Sequence, residues 1–130
     1  MRRLKQVILI RKDLKMRRGK EIAQGSHASN AFLVERIRTG LGVGGRVIVA
    51  LDKAEQAWIA EGMAKVCLQV NSEEQLVECH QKALALGLKS HLITDSGRTE
   101  FGGNPTLTAC AIGPDDADKI DEVTGDLQLY

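Results

Sequence analysis

The sequence predicts a single-domain α/β protein, a four-stranded sheet with helices packed on both faces. Three observations carry this. Short apolar, β-branched runs recur at Gln6–Ile10, Lys65–Val70, Ser90–Thr94 and Pro105–Ile112. Helix signals with caps and terminating glycines separate those runs. The length of 130 residues, with 43% hydrophobic and 27% charged content, suits one buried core. Strands parted by helices imply a mixed or parallel sheet, and such sheets bind ligands beyond the carboxyl ends of their strands.

The elements follow in order. Gln6–Ile10 reads as a strand buried on both faces, and Arg11–Gly19 is a basic connection. A helix is expected from Gly19 to Thr39, stopping at Gly40. Leu41–Gly45 is Gly-rich and reads as a loop. Arg46–Leu51 has strand-like propensity but lies between two helices. Asp52 is an N-cap for a helix reaching Glu61, with Ala54, Ala57 and Trp58 on one side. After the strand Lys65–Val70, Ser72-x-x-Gln75 forms a capping box for a helix ending at Gly87. Ser90–Thr94 leads into the turn Asp95-Ser96-Gly97, and Pro105–Ile112 is closed by Gly113-Pro114. A last helical turn is expected over Asp115–Val123, with the tail Asp126–Tyr130 docking.

Composition excludes several classes. No apolar run approaches the ~20 residues of a membrane span, and the stretch Val7–Ile10 is too short for a signal peptide. A cytoplasmic protein is the expectation. Cys67, Cys79 and Cys110 lack C-x-x-C spacing and sit in apolar stretches, where cysteine behaves as a small hydrophobe. Aromatic residues are only 3%, which argues against single-strand binding by base stacking. The net charge of +1 hides an asymmetry: residues 1–20 carry +8 and the rest −7. A polyanion fits the first end, although a solvated basic terminus would look the same.

Lys20, Gln24 and His27 are spaced i, i+4, i+7 and share one narrow helical stripe. The stripe continues through Ala31, Val34 and Ile37, so it turns polar toward its N-terminal half. That is the pattern of a site lining, near amide donors that favour phosphate. Taken singly, each residue has an ordinary structural reading. So has Asp95-Ser96-Gly97, a common Asx-turn composition. Yet Asp95 directly follows a buried strand, where a carboxylate orients a water or acts as a base. Thr99, Thr106 and Thr108 offer hydroxyls nearby. Motifs for nucleotide triphosphatases, dinucleotide enzymes, zincins and serine hydrolases are absent. The residues by themselves indicate a basic, phosphate-binding site beside one carboxylate.

Arg11–Ala28 (RKDLKMRRGKEIAQGSHA) resembles the signature of the type 2, archaeal and eukaryotic, peptidyl-tRNA hydrolase family. Ile93–Phe101 (ITDSGRTEF) resembles its D-[AS]-G-x-T segment. Thr108–Pro114 and Ile120–Tyr130 resemble its closing strand and tail, and Trp58–Val70 fits less tightly. The likeness departs between Thr39 and Asp52, and Asn104-Pro105-Thr106 replaces a more usual Pro-Gly-Ser/Thr. The resemblance implies a four-stranded mixed sheet, often a homodimer, with no metal or organic cofactor. It also implies hydrolysis of the ester between a peptide and tRNA, with tRNA as partner and no role for DNA or a membrane. Lys20, Asp95 and Thr99 would form the core of the site, with His27 assisting proton transfer or positioning Lys20. Gln24 and Thr108 would lie nearby as substrate contacts, and Arg17, Arg18 and the other basic residues of 11–18 would touch tRNA phosphates.

Two other functions fit parts of the same sequence pattern. A non-catalytic RNA- or phosphate-binding module would use the basic segment alone. A regulatory domain with Trp58 in a protein interface would require that tryptophan to be exposed.

Overall fold

A computed structural model describes residues 3–40, 44–98 and 101–130. The strands are β1 (Leu4–Arg11), β2 (Lys65–Val70), β3 (Ser90–Asp95) and β4 (Thr106–Asp116), and the helices are α1 (Arg18–Gly40), α2 (Lys53–Ala60), α3 (Glu73–Ala85) and α4 (Ala117–Thr124). The sheet order is β2-β1-β4-β3. β2 runs parallel to β1, while β4 is antiparallel to both β1 and β3. Three strands therefore point one way, and the last in sequence runs back between two of them.

Alternation along the strands sorts the core into two layers. Val7, Leu9, Cys110 and Ile112 meet Leu76, Cys79 and Ala83 of α3 and Ile120 and Val123 of α4. Ile10, Ala109 and Ala111 face the other way, against Ala28 of α1 and Met16. Alanines on both sides let α1 lie close to the sheet. Gln6 pins that helix: its Nε2 donates to Ser29 O at 3.0 Å, and Ser29 Oγ donates to Gln6 Oε1 at 2.6 Å. α2 packs on α1 through Phe32 and Trp58, whose rings meet edge to face. Trp58 is buried and donates Nε1 to Ala64 O, which removes the exposed tryptophan that a regulatory interface would need.

Several expectations are corrected. Arg46–Leu51 forms no strand: Ile48 is fully exposed, and the segment pairs with no strand of the described sheet. β-propensity without a neighbouring strand does not make one. Gly113-Pro114 does not close β4, which continues to Asp116 and pairs with Leu4 and Lys5. α3 is capped by Ser72, but Gln75 reaches back to the Asn71 N–H instead of completing a box. The reciprocal box belongs to α2, between Asp52 and Glu55. Cys67 is exposed, while Cys79 and Cys110 are core residues. Residues 41–43 of the Gly-rich stretch lie outside the described residues. Among the described residues, no helix is long and apolar enough to cross a membrane. The tail docks as expected: Gln69 N donates to Gln128 O and Tyr130 N to Cys67 O, along the outer edge of β2.

Candidate active site

The carboxyl ends of β1 and β3 and the start of β4 lie in adjoining rows, because Ile10 and Ile93 both pair with Ala109. From β1 the chain passes through a 3-10 turn, Lys12–Leu14, into α1. α1 then runs back over the sheet and carries its first turns past the end of β3. This topology brings the polar stripe to the acidic turn.

Lys20 Nζ donates to Asp95 Oδ1 at 2.7 Å, and Gln24 Nε2 approaches the same oxygen at 3.3 Å. The Gly97 N–H donates to Oδ2 at 2.8 Å, the Asx-turn read in the sequence. Gln24 is buried, and its Oε1 accepts from Thr108 Oγ1, also buried. The Lys20 and Asp95 side chains retain only 15% and 11% of their exposure, so the pair is partly desolvated. The Lys20 ammonium is the largest influence on Asp95 and holds its carboxyl below the usual carboxylate range. Burial opposes that shift, while the Gly97 N–H and the Gln24 amide add to it. Asp95 is thus an anion at neutral pH. Its Oδ2 keeps an acceptor position beyond the Gly97 bond, enough to hold one water.

Gly97 has φ +81, and a Cβ there would stand 2.1 Å from Asn104 O. Only glycine permits the turn that aims its N–H at Asp95. The Gly103 N–H closes the loop onto Gly97 O.

Of the residues expected at the site, Lys20, Gln24, Asp95 and Thr108 are brought together. His27 is exposed, and its side chain makes no hydrogen bond or ion pair among the described residues. It lines a cavity of about 450 Å³ that runs between α1 and β3 and ends at Asp95 and Ser96. Thr99 lies outside the described residues. Arg17 and Arg18 are exposed at the start of α1. Arg11, grouped with them in the sequence, is not a surface cation. Its guanidinium is buried, paired with both oxygens of Asp13, and donates to Leu107 O at 2.9 Å. The only sequence signal for that pair is opposite charge at i, i+2. Its effect is to clamp β4 one residue before Thr108.

Residues 4–130 match the family model described as peptidyl-tRNA hydrolase PTH2. The chain is 40% identical over 127 residues to a Methanocaldococcus jannaschii protein named peptidyl-tRNA hydrolase, covering 97% of this chain and 99% of that one. A Sulfolobus acidocaldarius protein of the same name is 34% identical over 131 residues, with 97% and 99% coverage. A Dictyostelium discoideum protein named probable peptidyl-tRNA hydrolase 2 is 39% identical over 126 residues, covering 97% of this chain and 54% of that protein.

Proposed function

The chain belongs to the peptidyl-tRNA hydrolase PTH2 family, and we propose that its Lys20–Asp95 site cleaves the ester joining a peptide to the terminal ribose of tRNA. The observation that supports this most is the contact of Lys20 with Asp95, made across 75 residues of sequence at the strand ends. Water adds to the ester carbonyl, a tetrahedral oxyanion forms, and the bond to the ribose oxygen breaks. The ribose recovers its proton and the peptide leaves as a carboxylate.

Each group has an assigned task. Asp95, held ionised, orients the water through Oδ2 and stabilises positive charge as the water attacks. Its depressed basicity suits orientation better than outright deprotonation. Lys20 stabilises the oxyanion. Gln24 and Thr108 fix the carboxylate's direction and are positioning residues. Thr99 is assigned a hydroxyl contact to the water. His27 is assigned proton transfer to the ribose oxygen, because it makes no bond that would position Lys20. Arg17 and Arg18 contact tRNA phosphates without reading bases. Family membership is also the ground on which we propose action in the cytoplasm and a homodimer.

The test compares N-acetyl-aminoacyl-tRNA with free aminoacyl-tRNA as substrates. Release of the blocked amino acid alone is expected, with Asp95→Asn and Lys20→Ala each slower by at least ~10²-fold. Unchanged turnover in Asp95→Asn would sink the assigned roles. Binding of tRNA with no turnover would favour a non-catalytic module.

A further inference from the structure

α1 stands between two grooves, and these differ in what borders them. One, about 550 Å³, lies toward β2 and includes Ile8, Ile10, Ile22 and Cys67. Its sheet edge is already partnered: the tail bridges Leu68 through Leu129 and hydrogen-bonds at Cys67 and Gln69. The other groove lies toward β3 and leads to the candidate active site. Consecutive residues Leu92, Ile93, Thr94 and Asp95 all line it. Side chains of a strand alternate between faces, so a cavity bordered by an unbroken run is bordered by the strand's main-chain edge. β3 is the end strand of the sheet, and among the described residues no backbone group pairs with its outer side.

We infer that this β3 edge is the subsite for the peptide part of the substrate, which pairs with it by main-chain hydrogen bonds as an added strand. The inference rests on the esterase reading and extends it. The occupant follows from continuity, since the groove ends at Asp95, where the ester must sit. Direction follows too. The peptide's carboxyl end lies at Asp95, the carboxyl end of β3, so the two run parallel. Chemistry supports main-chain recognition, because peptidyl-tRNAs share a peptide main chain and an ester while their side chains differ. Main-chain pairing is the mode that ignores them. The groove walls agree: Ala31 and Val34 form an apolar floor, while Glu35 and Arg38 place both charge signs at the rim. The four strand residues Leu92–Asp95 span about 13 Å, room for about four peptide residues.

Two measurements test this. The first is kcat/KM for tRNA carrying N-acetyl-alanine or N-acetyl chains of two, four and six alanines. A gain of roughly tenfold between one and four residues is expected, flat thereafter, from two or three added hydrogen bonds. N-methylation of one peptide nitrogen should reduce the rate at alternate positions only, and Val34→Trp, which fills the groove, should remove the gain with length. Rates independent of length, or equal losses at every methylated position, overturn the inference while leaving the esterase intact. No hydrolysis of any blocked substrate sinks both.

The second is amide hydrogen exchange with the amide-linked analogue 3′-(N-acetyl-tetraalanyl)amido-3′-deoxyadenosine. Slowed exchange at alternate residues of 90–95 is expected. Protection at 65–70 instead, or equal protection of 90–95 by 3′-amino-3′-deoxyadenosine lacking the peptide, overturns it.

Discussion

The Thr108 hydroxyl donates to Gln24 Oε1, and this bond decides which end of the Gln24 amide faces Asp95. With Oε1 committed, Nε2 is the atom turned to the carboxylate. The reverse orientation would set oxygen lone pairs against an anion. Thr108→Val removes the donor within a buried pair. A loss of about tenfold in kcat with little change in KM is expected, with ~1–2 kcal/mol less stability. Thr108→Ser keeps the hydroxyl and should recover most of the rate. Equal impairment of both variants would mean that Thr108 acts by packing.

Lys20 sets the ionisation of Asp95, so its removal should be visible there directly. The carboxyl of Asp95 lies below the ordinary range, chiefly because Lys20 hydrogen-bonds to its charged form. The anion therefore persists above that lowered value. The parent's rate should show no acid limb from Asp95 between about pH 5 and 8. In Lys20→Gln the Asp95 carboxyl carbon, followed by NMR, should titrate at higher pH than in the parent. An unchanged midpoint would mean that Gly97 and Gln24 dominate.

Gly97 admits no side chain. Gly97→Ala drives a methyl into the Asn104 carbonyl at a positive φ, so the turn must open and withdraw its N–H from Asp95. Activity should fall by at least ~10²-fold, with far-UV circular dichroism unchanged because the turn lies outside every helix and strand. Activity within twofold of the parent would show that the turn does not orient Asp95.

Glu55 predicts an acid-labile element away from the site. Burial alone would raise its carboxyl, but bonds from Arg36, the Asp52 N–H and Lys89 outweigh burial and hold it at about 2. A carboxyl lowered in the folded state stabilises above its unfolded value and loses that contribution as pH falls, here from about pH 5 toward 2. Glu55→Gln should cost ~2–3 kcal/mol at pH 7 in urea denaturation and flatten the loss between pH 5 and 3. An unflattened loss would place the acid sensitivity in other carboxylates.

For the basic segment, the slope of log affinity for tRNA against log salt should fall by roughly one for Arg17→Ala and again for Arg18→Ala. Arg11→Ala should instead destabilise the fold, because its guanidinium is spent on Asp13 and Leu107. A salt slope unchanged by both surface substitutions would move the tRNA contact elsewhere.

What the sequence made legible was local or periodic. The strands and the stripe of Lys20 and Gln24 followed from spacing, and the acidic turn from composition. The extent of β4 did not. Gly113-Pro114 looks like a terminator, yet the ladder skips it: Lys5 pairs with Asp115 and Val7 with Ile112, so a register shift at Gln6 faces the proline that cannot donate. The bond between Gln24 and Thr108 joins residues 84 apart and leaves no local trace. Arg11 carried a misleading one, since a buried cation and a surface cation are the same letter.

β4 comes last among the strands but lies second from one edge of the sheet, between β1 and β3. Until it inserts, the sheet does not hold β3, and with it the turn bearing Asp95, beside β1 and the helix that follows it. A nascent chain ending before Thr106 therefore holds Lys20, His27, Asp95 and Thr99 and still has no assembled site. Catalytic competence is expected to arrive with completion of the sheet, and no form truncated before β4 should retain a fraction of it.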